Sequence, residues 1–233
     1  EVLSQLSNRD AWQSFRSREK GAPAPIFVDP RSGAATNIIR SVPLIPGNGV
    51  GNQLTLQDMG KRLGRGVEAI DAQVVADAVR RHIEANRSLL GIDLRQLGKT
   101  EATQVNPDLW QIHIPQVVNG VPVRDGRLAA SISHGNLVVI GTEVWGNAVI
   151  DTTVKVPAEK AIDAGFAYAG GRWPQDEFAR QARLEIVPVA PPQYQVGEAF
   201  GGPAGKGYEH RLVWIYVFQR GDDAARWEVM VDA

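Results

Sequence analysis

The chain has 233 residues, of which 22% are charged, and its formal net charge at pH 7 is −1. A chain of this length can bury a sizeable core, and the balanced charge argues against nucleic acid or an acidic membrane surface as a partner. There is no cysteine, which excludes disulfides, cysteine–zinc sites and thiol nucleophiles, and no apolar run is long enough to span a membrane.

The N-terminal part, residues 1–59, is predicted to be an extension made of a helix, a hairpin and a connector. Residues 1–20 form the predicted helix, and its apolar face contains Val2, Leu6, Trp12 and Phe15. Two apolar segments, 26–28 and 36–39, flank the turn-forming residues 29–33 and predict the hairpin. Residues 43–51 are rich in proline and glycine and predict the connector.

The clearest predicted helix follows Asp71, whose carboxylate suits an N-cap. Residues at helical spacing give it an apolar face: Val74, Val75, Ala78, Val79 and Ile83. On the polar side we expect Asp77 and Arg81, one turn apart, to pair, and Gly91 to provide the C-terminal cap.

Three turn signals divide residues 109–145 into predicted strands. They are Asn119-Gly120, Asp125-Gly126 and His134-Gly135-Asn136. Asn-Gly and Asp-Gly suit type I′ hairpin turns because both central residues adopt positive φ at low cost. Between the last two turns, Leu128, Ala130 and Ile132 alternate with small or polar residues, which predicts a strand with one buried face.

The residue order in this meander resembles the propeptide motif of secreted zinc metalloproteases of the thermolysin and fungalysin type. The matching residues are Gln116, Asn119, Gly120, Val121, Pro122, Val123, Gly126, Arg127 and Gly135. The chain departs from the motif at Pro115, where a polar residue is usual, and at His134, which replaces an acidic or polar turn residue. The resemblance implies a propeptide domain over residues 60–150. In it the motif residues hold the fold, the glycines supply backbone geometry, and Pro122 keeps a short strand at an edge.

A second unit is predicted for residues 151–233. Pro157 begins a short helix, residues 184–189 form a strand that stops at its prolines, and a loop rich in glycine and proline runs to Tyr208. Two strands, 212–218 and 227–233, then flank a turn at 221–223. This order is similar to the PepSY domain that follows the first propeptide domain in these precursors.

The predicted fold class is therefore α+β. We expect two consecutive units, each an antiparallel β-sheet meander packed on one helix, after an N-terminal helix–hairpin extension.

No catalytic or metal-binding constellation is predicted. The four histidines, His82, His113, His134 and His210, are scattered, and none belongs to an H-E-x-x-H motif. Residues 201–207 resemble a phosphate loop, but Phe200 stands at the first glycine position and Gly207 replaces the required Ser or Thr, so a flexible loop is predicted. No G-x-S-x-G sequence supports a serine hydrolase.

The resemblance implies a non-catalytic pro-region that assists folding of its zinc protease and inhibits it until cleavage. The partner would be the cognate metalloprotease catalytic domain, and zinc is expected there, with no cofactor in this chain. The last strand is the candidate contact, by β-strand addition, through Trp227, Val229, Val231 and Asp232. Asp232 would face the metal in one interpretation and is a strand-end or turn residue in the other.

Two alternatives remain open. One is a stand-alone peptide- or protease-binding module that acts in trans, and the other is an uncharacterised α+β enzyme. The chain begins at Glu1 without a signal sequence, so we expect a processed fragment of a secreted or periplasmic precursor.

Overall fold

The computed structural model describes residues 6–18, 24–193, 200–221 and 225–233. Within them the protein is α+β, with a mixed, mostly antiparallel sheet of nine strands and with five helices. The helices are α1 (Arg9–Arg18), α2 (Leu56–Leu63), α3 (Ala72–Ala85), α4 (Arg87–Leu90) and α5 (Ala158–Tyr168). The strands are β1 (Ile26–Val28), β2 (Ala35–Pro43), β3 (Glu101–Asn106), β4 (Leu109–Val118), β5 (Val121–Ser133), β6 (Asn136–Glu143), β7 (Asp176–Val189), β8 (Glu209–Arg220) and β9 (Arg226–Asp232). None of the helices in these ranges is long and apolar enough to cross a membrane.

The chain divides into two compact units. The described residues of 1–116, 125–147 and 190–208 form the first unit, and those of 117–124, 148–189 and 209–233 form the second.

In the first unit, β2 pairs antiparallel with both β1 and β6, so the predicted N-terminal hairpin is confirmed and lies within the same sheet as the meander. The core of this unit takes buried residues from four helices, including Trp12, Met59, Val79 and Leu90. The expectation of one helix against this sheet was wrong. Besides α3, the helices α1, α2 and α4 each place a buried apolar side chain in this core.

The N-terminal helix begins at Arg9, and Leu6 precedes it in a turn. The predicted start at residue 1 lies outside the described residues, as do Val2 and residues 19–23. Trp12 is buried and Phe15 packs against the core, as the predicted apolar face requires.

Helix α3 is confirmed with its cap, since the Asp71 carboxylate accepts a hydrogen bond from the Val74 amide at 2.8 Å. The prediction that Asp77 pairs with Arg81 was wrong, because the Asp77 carboxylate forms its ion pair with the guanidinium of Arg65 at 2.7 Å. Gly91 is a left-handed C-cap as predicted, but it closes the separate short helix α4.

Helix α2 was missed by sequence reasoning. Its signal is a capping box, in which Thr55 accepts from the Asp58 amide and the Asp58 carboxylate accepts from the Thr55 amide. The spacing of these two residues could have revealed it.

Two of the three predicted turns in the meander are confirmed. Asn119-Gly120 joins β4 to β5 with φ values of 50° and 84°, and His134-Gly135 joins β5 to β6 with 52° and 85°. The third prediction, a hairpin turn at Asp125-Gly126, was wrong. Asp125 has φ 58°, yet β5 continues through it, pairing with β7 at Val123 and with β6 from Arg127 onward. Leu128, Ala130 and Ile132 are buried as predicted.

In the second unit, β7, β8 and β9 form an antiparallel ladder, and α5 packs its Phe166 against Tyr216 and Phe218. Strand β7 is longer than predicted, because it begins at Asp176 and includes Pro188. Residues 222–224, which hold most of the predicted turn between the last two strands, lie outside the described residues.

Candidate functional site

Strand β9 is the last strand in the order β1-β2-β6-β5-β7-β8-β9, and it pairs only with β8 among the described residues. Its register with β8 is continuous from Arg226 opposite Gln219 to Asp232 opposite Val213. One side of β9 is therefore an ordered, open sheet edge. An open edge presents unpaired backbone donors and acceptors to another chain.

The backbone groups that point to this open side follow from the ladder geometry. The Ala233 amide donates to the Leu212 carbonyl at 3.0 Å. Because antiparallel pairs alternate between hydrogen-bonded and non-hydrogen-bonded, the backbone groups nearest β8 belong to Trp227, Val229 and Val231. The outward groups belong to Glu228, Met230 and Asp232.

The predicted contact residues lie together on β9 but differ in exposure. The indole of Trp227 stacks on Phe218, with ring centroids 6.3 Å apart, and is 48% exposed. Val229 and Val231 are half-buried on the same face. The Asp232 side chain is 73% exposed, and its carboxylate lies 3.7 Å from Arg211, so it is an exposed strand-end residue with a loose cationic neighbour.

The opposite face of this ladder carries a charge network. Glu228 accepts from Arg180 at 2.7 Å and also from Arg124. Glu185, which is 5% exposed, accepts from Arg183 at 2.9 Å and lies 3.6 Å from Arg124. Arginines of β5 and β7 thus hold a carboxylate of β9, the strand that forms the open edge.

Helix α5 packs against the face of the ladder that carries Val229, opposite the charge network. A methyl group added at Gly165 would lie 2.3 Å from the Tyr216 hydroxyl and 2.6 Å from Val229 Cγ1, so only glycine permits this helix-to-sheet distance. The Tyr216 hydroxyl donates to the Ile162 carbonyl at 3.1 Å, and burial raises the pKa of this phenol. The edge strand is therefore held on a rigid layer.

Among the motif residues, Gln116 has the clearest structural role. Its side chain is fully buried, and its Nε2 donates to Gln96 Oε1 at 2.7 Å and to the Gly146 carbonyl at 2.8 Å. These bonds connect β4 to the 3₁₀ turn Leu94–Gln96 and to the segment after β6.

The turn after β4 positions the next motif residues. Asn119 donates through Nδ2 to Thr152 Oγ1 at 3.2 Å, and a Cβ at Gly120 would meet nothing within 4 Å, so glycine is favoured there by its positive φ alone. Val123 is buried and Val121 packs beside it, while Pro122 is exposed. The strand that contains Pro122 runs for 13 residues and pairs with β4, β6 and β7, so the predicted short edge strand was wrong.

The remaining motif residues shape the first unit. Gly126 is buried and directly follows Asp125, which has a positive φ within β5. Arg127 forms a cross-strand ion pair with Glu143. A Cβ at Gly135 would lie 2.6 Å from the Ile45 carbonyl oxygen, because the loop 43–51 docks on this turn. The amides of Leu44 and Ile45 both donate to the Gly135 carbonyl at 3.0 Å, so the predicted connector is an ordered loop.

The histidines do not converge. His113 is exposed, His134 lies 3.8 Å from Asp108, and burial lowers the pKa of both His82 and His210. In the described ranges, no three His, Cys, Asp or Glu side chains come close enough to hold a metal ion together.

The predicted flexible loop at residues 201–207 is anchored instead. The amide of Gly205 donates to the Pro30 carbonyl at 2.9 Å, and that of Gly207 donates to the Arg31 carbonyl at 2.8 Å. Since these amides point at carbonyl oxygens of the protein, they cannot cradle a phosphate.

A scan of protein-family models and a search of curated proteins find no match to this chain.

Proposed function

We propose that this chain is the non-catalytic pro-region of a secreted or periplasmic zinc metalloprotease of the thermolysin or fungalysin type. It assists folding of the catalytic domain and blocks its cleft until it is cleaved. The observation that carries the proposal is the open edge of β9, with its outward backbone groups and the exposed indole of Trp227.

The finer domain assignment belongs to the same proposal. The meander β4–β6 with α3 is the core of a fungalysin/thermolysin-propeptide-like domain over residues 60–150. Helix α5 followed by β7, β8 and β9 forms a PepSY-like domain over residues 151–233. The motif turns at Asn119-Gly120 and His134-Gly135, both with positive φ, support the first assignment, and the helix–strand–strand–strand order supports the second.

The inhibitory contact follows from strand geometry. A protease cleft that holds its substrate as an extended strand can pair with β9 through the backbone of Glu228, Met230 and Asp232. Main-chain pairing supplies affinity without requiring a cleavable bond in the cleft. In this arrangement Trp227 is the aromatic anchor.

The same edge accounts for assistance in folding. An unfolded chain loses conformational entropy when it forms non-local strand pairs, and this slows β-sheet formation. A preformed strand held by α5 and by the charge network offers an ordered template. Pairing with it removes part of the entropic barrier to folding of the protease.

The test is titration of a thermolysin-like metalloprotease with the purified chain, followed by refolding of the denatured protease with and without it. We expect stoichiometric inhibition and an increased yield of refolded enzyme. The diagnostic variant is Met230→Pro, because proline removes an outward amide without breaking the β8 ladder. Met230→Ala is the matched control, and the melting temperature of each variant verifies that it is folded.

The outcomes separate the candidates. Loss of inhibition in Met230→Pro and its retention in Met230→Ala would support the edge as the contact. Equal inhibition by both variants would move the contact elsewhere, and absence of both inhibition and folding assistance would reject the pro-region. Inhibition of unrelated metalloproteases with equal strength would favour a trans-acting module. Turnover of peptide, ester or phosphate substrates by the chain alone would favour an enzyme.

A further inference from the structure

The first unit contains an elongated groove between its sheet and its helices. Three adjoining clefts of about 360, 480 and 540 Å³ form it. The first two share the lining residues Val42 and His82, and the last two share Pro43 and Arg62, so the three clefts lie side by side. We refer to them together as the β2 groove.

The floor of the β2 groove is apolar. Its first cleft is lined by side chains of β2, β6 and the helices, including Ile38, Val42, Leu89, Leu137 and Ile140. The second continues over Leu44, Met59 and Leu63. A floor of this kind favours a ligand that brings its own apolar side chains.

The rim is strongly cationic. Five exposed basic side chains line the groove: Arg18, Arg40, Lys61, Arg62 and Arg81. None of them forms an ion pair with any described residue within 4.0 Å. Asp77, one helical turn before Arg81, pairs with Arg65 instead. The whole chain has 25 basic and 26 acidic residues, so this imbalance is local.

Among the described lining residues, Asp58 is the single carboxylate, and it is already hydrogen-bonded. Asp58 Oδ2 accepts from the Thr55 amide at 3.0 Å and from the Thr55 hydroxyl at 2.7 Å. These hydrogen bonds lower the pKa of Asp58 and hold it in the cap of α2. The charges of Lys61 and Arg62 lower this pKa further, so Asp58 offsets part of the positive charge at that end of the rim.

Strand β2 is irregular where it passes the groove. Strand β2 borders the groove, and its register with β6 shifts between Ile39 and Val42. Arg40 and Ser41 lie in this bulge. An extended segment laid along the groove at this point meets the cationic rim.

We propose that the β2 groove binds an extended peptide segment of a partner protein in which carboxylates alternate with apolar side chains. The cations are spread over three clefts rather than grouped at one end, which suits several carboxylates along a strand better than the single headgroup of a fatty acid. The apolar floor distinguishes the β2 groove from a site that binds a polyanion through charge alone. The site is independent of the pro-region proposal and of the β9 edge.

The test is fluorescence anisotropy with the full chain and a short labelled peptide in which Glu alternates with Leu, without any protease. A peptide with Lys in place of Glu is the matched probe. We expect the Glu–Leu peptide to bind and the Lys–Leu peptide not to bind. Arg40→Glu and Arg81→Glu should each weaken binding about tenfold. Lys99→Glu, at an exposed lysine outside the groove, should leave it unchanged.

Several outcomes would overturn the proposal. These are no binding of the Glu–Leu peptide, equal binding of both peptides, or a loss in Lys99→Glu equal to that in Arg81→Glu. Binding of decanoate or single-stranded RNA where the peptide fails would assign the groove to another ligand class. The melting temperature of each variant verifies folding, and Arg62→Glu replaces any variant whose melting temperature falls.

Discussion

The guanidinium of Arg220 and the carboxylate of Asp176 meet at 3.0 Å in the second unit, where the Asp176 side chain is 0% exposed. Arg220 also donates to the carbonyls of Ala169 and Gly171 at 2.9 and 2.7 Å, and lies 4.4 Å from the ring centroid of Trp173. One arginine at the end of β8 therefore holds the start of β7 and the segment after α5. Strand β9 pairs with β8, the strand that carries Arg220, and packs against α5.

This pair predicts acid sensitivity. Hydrogen bonding to Arg220 lowers the pKa of Asp176 in the folded state, so the stabilisation is complete above the unfolded-state pKa and is lost as pH falls toward the folded-state pKa. Asp176→Asn should lower the melting temperature at neutral pH by about 5 °C or more. It should also reduce the further decrease of the melting temperature when the pH is lowered to about 3. Thermal melts over this range measure both effects. Glu177→Gln, at the exposed neighbour, should reproduce neither.

Gly135 and Gly120 have nearly equal φ, 85° and 84°, and differ in their surroundings. Gly135→Ala should destabilise the protein by about 3 kcal/mol, because the new methyl group meets the Ile45 carbonyl as well as an unfavourable φ. Gly120→Ala, with free space around it, should cost about 1 kcal/mol. Urea unfolding compares the two. Equal losses would mean that the docked loop 43–51 does not constrain Gly135.

Removing the Gln116 side-chain amide should be costly. Gln116→Met leaves the Gly146 carbonyl without this donor in a buried site, at a cost of about 2 kcal/mol. Gln111→Met, at an exposed position of the same strand, should change the free energy of unfolding by less than about 0.5 kcal/mol. Chemical denaturation of both variants measures the difference. A similar result for both would show that the buried hydrogen bonds contribute no net stability.

Gly165 predicts a reversal of the usual helix preference. Alanine in place of an interior helical glycine normally stabilises by about 1 kcal/mol. Here Gly165→Ala should instead destabilise by about 2 kcal/mol, since Tyr216 and Val229 occupy the space. Ala164→Gly, at the exposed neighbour, calibrates the propensity effect alone. A stabilised Gly165→Ala variant would contradict the close packing of α5 on β8 and β9.

Local features were predicted well from the sequence. The caps at Asp71 and Gly91, the turn at Asn119-Gly120, and the alternation around Ala130 each depend on a few adjacent residues. Their chemistry favours one conformation wherever the segment lies. The same local information was present at Thr55 and Asp58, where the capping box of α2 marks a helix that was not predicted.

Pairing between distant segments could not be predicted in this way. Asp125-Gly126 has the composition of a hairpin turn, and Asp125 does take a positive φ, but β5 continues because β6 and β7 supply partners on either side of it. Asp77 pairs with Arg65 rather than with Arg81, since side-chain geometry after folding decides between two nearby cations.

The amino-acid sequence by itself determined where this chain turns, which faces of its strands and helices are apolar, and that Trp227, Val229, Val231 and Asp232 share one strand. Only the tertiary structure decided that this strand lies at the edge of the sheet, that Arg220 finds Asp176 from 44 positions away, and that five basic side chains line one groove. The reason is physical. Turn and cap preferences are short-range, whereas strand order and charge placement depend on contacts made only when distant segments pack together.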